Sequence, residues 1–292
     1  MSKLVAVLLA GPQAPLSSDL IEAVSDTTRE PPTWLAGGTA VEFDLDDRPD
    51  WNAMLRTVIG PAPVDLAIVP VTDRRKRLLI ADMDSTIIEQ ECIDELADMV
   101  GKRDEVSAIT ERAMRGEVEF ADALRHRVAL LAGLPIDTVR QVLRERINVR
   151  SGAAELVATM RANGAYTMLV SGGFTLFTSA IAATVGFDEH RANVLNHDGT
   201  LFDGTVAEPI LGREAKLEAL RETISDRDIR TDDVIAVGDG ANDLAMIEAA
   251  GLGVALHAKP AVAARADVSI RYGDLRSLLH LQGYRADEFV RP

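Results

Sequence analysis

Two aspartates separated by a single residue, Asp82 and Asp84, follow the apolar run Leu78–Ala81 and precede Ser85 and Thr86. A continuous apolar run is typical of a parallel strand that is covered on both faces. Side chains two residues apart in an extended chain point to the same side, so both carboxylates can enter one small space. Two carboxylates so placed repel each other, which either raises one pKa or attracts a cation. The pattern predicts a strand end that carries chemistry.

That chemistry follows from the residue types. A hard cation such as Mg2+ takes oxygen ligands and keeps positions open for water and a substrate phosphate. Beside it, Asp82 could act as a nucleophile and Asp84 as a general acid and then a general base. Ser85 and Thr86 add hydroxyl and backbone N–H groups that can bind a phosphate. An ordinary turn at a strand end uses the same residues, so the motif alone leaves a structural role open.

The segment Asp82-Met83-Asp84-Ser85-Thr86 resembles the first motif, D-x-D-x-T, of the haloacid dehalogenase-like phosphohydrolases. Glu91 narrows the resemblance to the members that act on phosphoserine. The resemblance implies an α/β fold with a Rossmann-like, mainly parallel sheet and an inserted helical cap that covers the site. It also implies Mg2+-dependent hydrolysis of a phosphomonoester through an aspartyl phosphate.

A second group of polar and small residues follows the end of a predicted strand. After the strand over 166–170, Ser171, Gly172 and Gly173 precede a predicted helix over 174–185. A hydroxyl, two glycines and a helix N-terminus together can bind an anion through N–H groups and the helix dipole. A Gly-Gly turn is common, so this signal is weak by itself. Ser171 nonetheless fits the second motif of the family, which implies that Ser171 and Gly172 contact the substrate.

A third group of polar residues also follows a predicted apolar strand. It is the acidic loop Gly238-Asp239-Gly240-Ala241-Asn242-Asp243. The loop imitates the start of a dinucleotide fingerprint, but Asp243 stands where a third glycine is required. Its sequence closely matches the fourth family motif. The resemblance implies that Asp239 joins the Asp82 side chain and the Asp84 carbonyl as metal ligands, that Asp243 braces them from outside, and that Asn242 contacts the substrate.

Lys216 lies on a predicted helix over 213–223. A helix lysine usually faces solvent, so its position alone says little. The resemblance to the third family motif implies that Lys216 neutralises the nucleophile and the substrate phosphate.

The sequence predicts four helices over residues 88 to about 150, an arrangement that resembles the helical cap of the family. Within them, Glu91 could receive an ammonium group and Arg127 could bind a carboxylate with its planar fork. The segments 113–116 and 123–131 resemble cap segments of the phosphoserine-specific members, where a matching Glu and Arg bind the substrate. Most helix arginines simply face water, so Arg127 is informative only through that resemblance.

Residues 1–72 show the order β-α-β-β-α-β, which predicts a ferredoxin-like sandwich. The corresponding region of bacterial relatives is ACT-like, a fold that often binds amino acids or pairs subunits, so a homodimer through this unit is possible. Residues 70–77 contain the basic run Arg74–Arg77, interpreted as a solvated linker. Residues 73–292 are then the phosphatase domain, with the cap at about 88–150.

Charge and composition limit the partners and the compartment. With 31 basic and 46 acidic residues, the 292-residue chain has a formal net charge of -15, which disfavours nucleic acid and acidic membranes. A single cysteine, Cys92, suits a reducing cytoplasm. No apolar run approaches the roughly 20 residues that span a bilayer, and the apolar run 4–10 is explained as a strand.

The main expectation is hydrolysis of O-phosphoserine to serine and phosphate, the last step of serine biosynthesis, by a cytoplasmic Mg2+-dependent enzyme. Specificity rests only on the cap, so a phosphatase for another small phosphomonoester stays open. An amino-acid-responsive regulatory protein that uses residues 1–72 is the alternative from another class.

Overall fold

The computed structural model describes residues 3–114 and 117–292, so the expected cap segment 113–116 lies partly outside the described residues. Its first unit is a four-stranded antiparallel sheet with strand order β2-β3-β1-β4, covered on one face by two helices. This order and direction confirm the ferredoxin-like topology. The elements are β1 (Leu4–Ala10), α1 (Ser18–Thr28), β2 (Thr33–Ala36), β3 (Ala40–Leu45), α2 (Trp51–Ile59) and β4 (Val64–Pro70).

Strand β1 is buried on both faces, which explains why its sequence is continuously apolar instead of alternating. Ala6 and Leu8 pack with the helices of the first unit. Val5, Val7 and Leu9, on the opposite face, belong to the large core that they share with the second sheet. The two sheets therefore share one continuous apolar interior.

The second sheet has six parallel strands in the order β12-β11-β10-β5-β6-β7. Helices flank it, as the predicted Rossmann-like fold requires. The strands are β5 (Leu78–Ala81), β6 (Tyr166–Phe174), β7 (Glu189–Asn193), β10 (Val234–Gly238), β11 (Leu252–Leu256) and β12 (Val268–Ile270). The helices are α7 (Ala153–Ala162), α8 (Thr175–Val185), α9 (Arg213–Arg227), α10 (Leu244–Ala249), α11 (Pro260–Ala263) and α12 (Ser277–Leu281).

The cap consists of helices inserted between β5 and α7, and a small hairpin from the sheet region binds to it. Its helices are α3 (Cys92–Met99), α4 (Arg103–Met114), α5 (Phe120–Ala129) and α6 (Asp137–Glu145), and the hairpin is β8 (Leu195–His197) with β9 (Phe202–Val206). The N–H of Gly133 donates to Phe202 O at 2.8 Å, and the N–H of Phe202 donates to Leu134 O at 3.0 Å. The hairpin thus extends the cap.

Several element boundaries differ from the sequence-based predictions. The first cap helix begins at Cys92 and not at residue 89, because Glu89 instead donates its N–H to Asn148 O at 3.0 Å, at the point where the chain enters and leaves the cap. The strand predicted over 166–170 continues to Phe174. Strand β7 and helix α10 were not predicted.

The interpretation of the basic run as a solvated linker was wrong for Arg74, whereas Arg75 and Arg77 are exposed. The side chain of Arg74 is only 10% exposed and pairs with Glu42 of β3 at 2.9 Å. Its guanidinium also donates to the carbonyls of Leu281, at 3.2 Å, and His280, at 3.3 Å. Arg74 therefore fastens the first sheet to the C-terminal helix α12.

Among the described residues, no helix combines the length and the apolarity that crossing a membrane requires.

Candidate active site

The chain turns sharply where β5 ends. The N–H of Asp82 still pairs with Val237 O of the neighbouring β10 at 3.0 Å, and its Oδ1 accepts the N–H of Met83 at 2.8 Å. Two residues later the backbone of Ser85 adopts a left-handed φ of 57°. The turn ends where Ile88 N–H donates to Met83 O at 3.0 Å. Asp82 and Asp84 thereby face the carboxyl edge of the sheet, as predicted for a ligand site of this fold.

Lys216 lies between two of the aspartates. Its Nζ is 2.6 Å from Asp82 Oδ1 and 2.6 Å from Asp243 Oδ1, and the lysine side chain is only 2% exposed. Burial alone would lower the pKa of Lys216, but the charges of Asp243 and Asp82 raise it above its usual range. Burial and the charge of Asp243 raise the pKa of Asp82, while Lys216 opposes that rise. One ammonium group thus faces two carboxylates, which leaves excess negative charge.

The acidic loop after β10 is folded around Asp243. The Oδ2 of Asp243 accepts the N–H groups of Asp239, at 3.1 Å, and Gly240, at 2.9 Å. A Cβ on Gly238 would lie 2.5 Å from Asp243 Cγ, so only glycine fits there. Both oxygens of Asp243 are engaged, consistent with the bracing role expected for it.

Three carboxylates form a possible metal centre. Asp82, Asp239 and Asp243 each offer an oxygen within 4.8 Å of the other two. Burial, followed by the charge of Asp243, raises the pKa of Asp239 to about 6. Thr86 donates its hydroxyl to Asp239 Oδ1 at 3.3 Å. The hard oxygen donors and the surplus of negative charge suit a divalent cation such as Mg2+.

Asp84 is held apart from that cluster by other groups. Its Oδ1 accepts the N–H of Cys92 at 2.9 Å, and its Oδ2 accepts the hydroxyl of Ser171 at 3.1 Å. Burial raises the pKa of Asp84, although both hydrogen bonds oppose the rise. A Cβ on Gly173 would lie 2.7 Å from Asp84 Oδ2, so the glycine makes room for the carboxyl group. Asp84 is suited to carry a proton, because burial favours its neutral form.

Glu91 and Arg127, the two cap residues singled out from the sequence, do not form an ion pair with each other. Glu91 accepts the hydroxyl of Ser85 at 2.7 Å, and its side chain remains accessible to solvent at the rim of the site. Partial burial of its carboxyl group and the charge of Asp84 raise the pKa of Glu91 to about 7. The guanidinium of Arg127 donates to Thr110 Oγ1 at 3.2 Å and to Ala123 O at 3.3 Å.

Burial lowers the pKa of Arg127, and the charges of Asp94, Glu91 and Asp84 oppose that effect. Arg127 and Glu91 therefore attract each other electrostatically near Asp84 but form no direct ion pair. That arrangement leaves both available to a ligand with an ammonium and a carboxylate group.

Phe120, at the start of the cap helix α5, lies close to Gly172 in the segment Ser171-Gly172-Gly173. A Cβ placed on Gly172 would lie 3.3 Å from Phe120 Cζ, and one on Gly212 would lie 3.2 Å from Phe120 Cδ1. Asn242 lies in the acidic loop next to Gly240, where any added Cβ would collide with the Asn242 amide oxygen. Gly172 and Gly212 thus lie against the same cap side chain, whereas Asn242 packs within the acidic loop.

Asn193 was missed by the sequence analysis. Its side chain is buried at the end of the edge strand β7 and joins two loops of the site. It donates to Gly172 O at 2.9 Å and Leu211 O at 3.1 Å, and it accepts the N–H of Leu211 at 2.7 Å. No motif precedes it, so only the tertiary structure identifies it.

Comparisons with known proteins identify the family and the fold. The model of the haloacid dehalogenase-like hydrolases matches residues 79–248. A phosphoserine phosphatase of Albidiferax ferrireducens is 49% identical over 231 residues, which are 77% of this chain and 98% of the relative. The unliganded structure of a probable phosphoserine phosphatase from Vibrio cholerae, 31% identical, matches 97% of this chain and 86% of its own with a TM-score of 0.79. A substrate-bound phosphoserine phosphatase complex, 39% identical, matches 70% of this chain and 98% of its own with a TM-score of 0.65.

Proposed function

The chain belongs to the haloacid dehalogenase-like hydrolase family, and we propose that it is a phosphoserine phosphatase that hydrolyses O-phosphoserine to serine and phosphate. The observation that carries this proposal is the buried arrangement of Asp82 against Lys216 at 2.6 Å, with Asp84 held separately by Cys92 and Ser171. Two carboxylates with distinct partners can take distinct roles in one reaction. The named relatives support phosphoserine as the substrate.

We propose Mg2+ as the cofactor, bound by the side chains of Asp82 and Asp239 and by the backbone carbonyl of Asp84, with Asp243 bracing them. When bound, the ion would offset charge on the transferring phosphoryl group. Within the cluster of three carboxylates, Asp82 and Asp239 offer the oxygen donors that this ion prefers.

In the first chemical step, a carboxylate oxygen of Asp82 attacks phosphorus and the bond from phosphorus to the serine oxygen breaks. Asp84 gives its proton to that departing oxygen, so serine leaves as a neutral alcohol. Lys216 and the Met83 N–H group, both on Asp82 Oδ1, fix the orientation of the attacking carboxylate. Lys216 and Ser171 stabilise charge on the phosphoryl oxygens.

In the second step, Asp84 takes a proton from a water molecule whose oxygen attacks the phosphorus of the aspartyl phosphate. The bond between Asp82 and phosphorus breaks, which restores the carboxylate and releases phosphate. Asp84 is protonated again and ready for the next substrate. The roles of acid and base therefore alternate on one residue.

Substrate selection is assigned to the cap and the loops it covers. Glu91 receives the ammonium group of the substrate, Arg127 its carboxylate, and Ser171, Gly172 and Asn242 contact the phosphate side. The experiment is a comparison of turnover of phosphoserine, phosphothreonine and a sugar phosphate, each with Mg2+ and with a chelator. We expect phosphoserine to give the highest kcat/KM and the chelator to abolish it. Equal turnover of the sugar phosphate would overturn the substrate assignment.

The remaining assignments are also proposals. We propose an ACT-like domain over 1–72, a phosphatase domain over 73–292 with its cap at about 88–150, and a role in serine biosynthesis. A cytoplasmic location is supported by the single buried thiol, Cys92. We propose that a homodimer through the first domain uses its helices or the edge strand β2, because apolar residues on the opposite face of its sheet belong to the core shared with the second sheet.

A further inference from the structure

Arg150, which neither the motifs nor the reaction scheme uses, contacts the turn that follows Asp84. It lies where the chain leaves the cap, just before α7. Its Nη2 donates to Ser85 O at 3.0 Å and its Nε donates to Thr86 O at 3.1 Å. A guanidinium group presents two parallel donors in a rigid plane, which suits two successive carbonyls. Arg150 thus holds the backbone directly after the carboxylate assigned as the proton donor.

That backbone needs external support. Ser85 has a left-handed φ of 57°, a conformation that residues other than glycine seldom adopt. Such backbone persists only where the surrounding structure over-determines it. The Arg150 bonds therefore fix the orientation of the peptide groups that lead out of Asp84.

Arg150 is itself held by a turn near the C-terminus, over residues 271–275. Its Nη1 lies 3.3 Å from His257 Nδ1, and His257 Nε2 lies 2.8 Å from Gly273 O. A carbonyl only accepts, so Nε2 carries the proton and Nδ1 is the acceptor for Arg150. The adjacent Ser151 accepts the N–H of Leu275 at 3.2 Å through its carbonyl.

The packing behind this contact is tight. Ser151 donates its hydroxyl to Asp274 Oδ2 at 3.1 Å. Gly152 follows, with a φ of 84°, and a Cβ there would lie 2.6 Å from the backbone nitrogen of Arg276. The turn 271–275 and residues 150–152 therefore behave as one packed unit.

The turn is held in place by the first sheet. Asp65, on β4, is 4% exposed. Its Oδ1 accepts the N–H of Arg271 at 2.9 Å, and its Oδ2 accepts those of Tyr272, at 2.9 Å, and Gly273, at 3.0 Å. Bonds from a buried carboxylate to backbone N–H groups are among the stronger hydrogen bonds in proteins.

We propose that Arg150 is a positioning residue of the catalytic turn, and that the first domain supports catalysis through it. The support chain consists of Asp65, the turn 271–275, His257 with Ser151, and Arg150, and it ends on the carbonyls of Ser85 and Thr86. The kcat measurements that test this support chain rest on the proposed phosphatase function, whereas the hydrogen-exchange measurements do not. The first domain thus has a role in the reaction without contacting the substrate.

The first test replaces Arg150 by Gln and by Lys. We expect Arg150→Gln to lower kcat by roughly 10- to 100-fold, as is typical for residues that orient the ligands of a reacting centre, with a smaller change in KM. Arg150→Lys should recover part of kcat, since it can still donate to a carbonyl. Amide hydrogen exchange over residues 83–90 should accelerate in Arg150→Gln. Arg140→Gln, which removes an exposed arginine that pairs with Asp137, is the matched control.

The second test breaks the far end of the support chain. Asp65→Asn should lower kcat several-fold and accelerate exchange over residues 83–90, whereas Asp44→Asn, at an exposed position of β3, should do neither. In the double variant Asp65→Asn with Arg150→Gln, kcat should equal that of Arg150→Gln alone. If Asp65→Asn does not fold, His257→Asn replaces it, because asparagine tolerates the left-handed φ of 48° but cannot span both partners.

Two results would overturn the proposal. One is an Arg150→Gln protein with wild-type kcat and wild-type exchange over 83–90, which would make Arg150 a bystander. The other is a double variant whose two effects multiply, which would show that Asp65 acts by another route. Hydrogen exchange needs no substrate, so these outcomes are distinct from failure of the wild-type protein to hydrolyse phosphoserine.

Discussion

Lys216 is the residue that allows Asp82 and Asp243 to occupy one buried space. Its ammonium group is equidistant, at 2.6 Å, from both carboxylates. Desolvating the charges costs free energy that their attraction repays only because the contacts are short and Asp243 Oδ2 also accepts two backbone N–H groups. Removing one member of such a group leaves the others as uncompensated buried charges.

We therefore predict that Lys216→Met is strongly destabilised when divalent ions are chelated. The expected loss in the free energy of unfolding is about 3–5 kcal/mol, measured by urea denaturation. Lys102→Met is the control, because Lys102 forms only an exposed pair with Glu105. A loss below about 1 kcal/mol, the typical contribution of a surface pair, would contradict the assignment.

Glu91 gives a prediction for the pH dependence of kcat/KM. Its pKa is raised to about 7, so its carboxylate becomes neutral as the pH falls through that value. A neutral Glu91 attracts the substrate ammonium group less, so kcat/KM for phosphoserine should fall by up to about tenfold per pH unit below it. In Glu91→Gln, kcat/KM should be low and should lose this contribution, leaving the titration of the phosphate and of the other carboxylates of the site, such as Asp239. An unchanged pH profile in Glu91→Gln would contradict the role.

Which residues could be predicted from the sequence depends on how far away their partners lie. Asp82 and Asp84 could be predicted as a pair because two residues of one strand end share a side by local geometry alone. Asp65 could not, because its partner Gly273 is 208 residues away. Asn193 and Arg150 are similar cases: isolated polar residues whose partners are backbone groups of distant loops carry no local pattern.

At the level of elements, the extended end of β6 fixes the space available to Asp84. Gly173→Ala would place a Cβ 2.7 Å from Asp84 Oδ2 and 3.0 Å from Ser171 Oγ. We predict a fall in kcat of about 100-fold, of the order that a displacement near 1 Å produces, with thermal unfolding close to that of the wild type. Steady-state kinetics and calorimetry would measure both.

Gly37→Ala is the control for that substitution, since a Cβ there meets nothing within 4 Å and the backbone φ is not positive. If Gly173→Ala kept wild-type kcat, the carboxyl group of Asp84 could not depend on this geometry.

The helices of the cap could be predicted well because apolar residues recur at helical spacing and glycines mark their ends. Strand β7 could not be predicted, because it is a half-exposed edge strand whose sequence, Glu-His-Arg-Ala-Asn, contains no apolar run. The start of α3 was also misplaced. Residues 88–91 look helical by composition, but Ile88 and Glu89 pair with Val149 and Asn148, and α3 begins only at Cys92.

At the level of the whole molecule, the first sheet packs against apolar residues that flank the second sheet. Val5, Val7 and Leu9 share one core with Leu278 and Leu281 of α12. The sequence did not predict this contact: the apolar run in β1 indicated burial, but nothing local indicated that the second sheet would provide it. The buried Arg74 was misread for the same reason, because its partners lie on both domains.

A chain shortened to residues 73–292 should therefore expose apolar side chains. We predict increased binding of a hydrophobic dye and a lower unfolding temperature than in the full chain, since exposed patches of this kind promote association. In the control, the segment 1–72 is added back to the shortened chain as a separate peptide, which distinguishes the loss of its contacts from the loss of chain length. A monomeric, cooperatively unfolding fragment with the full chain's unfolding temperature would contradict a shared core.

The most direct test of the central claim is to identify the residue that receives the phosphoryl group. A single turnover of phosphoserine with Mg2+ would be quenched in acid, and the digested protein examined by mass spectrometry. The account predicts one added phosphoryl group on Asp82, in the peptide that contains residues 78–91, and neither this adduct nor turnover in a folded Asp82→Asn protein. Phosphoserine turnover that persists in Asp82→Asn, or a phosphoryl group on any other residue, would contradict it.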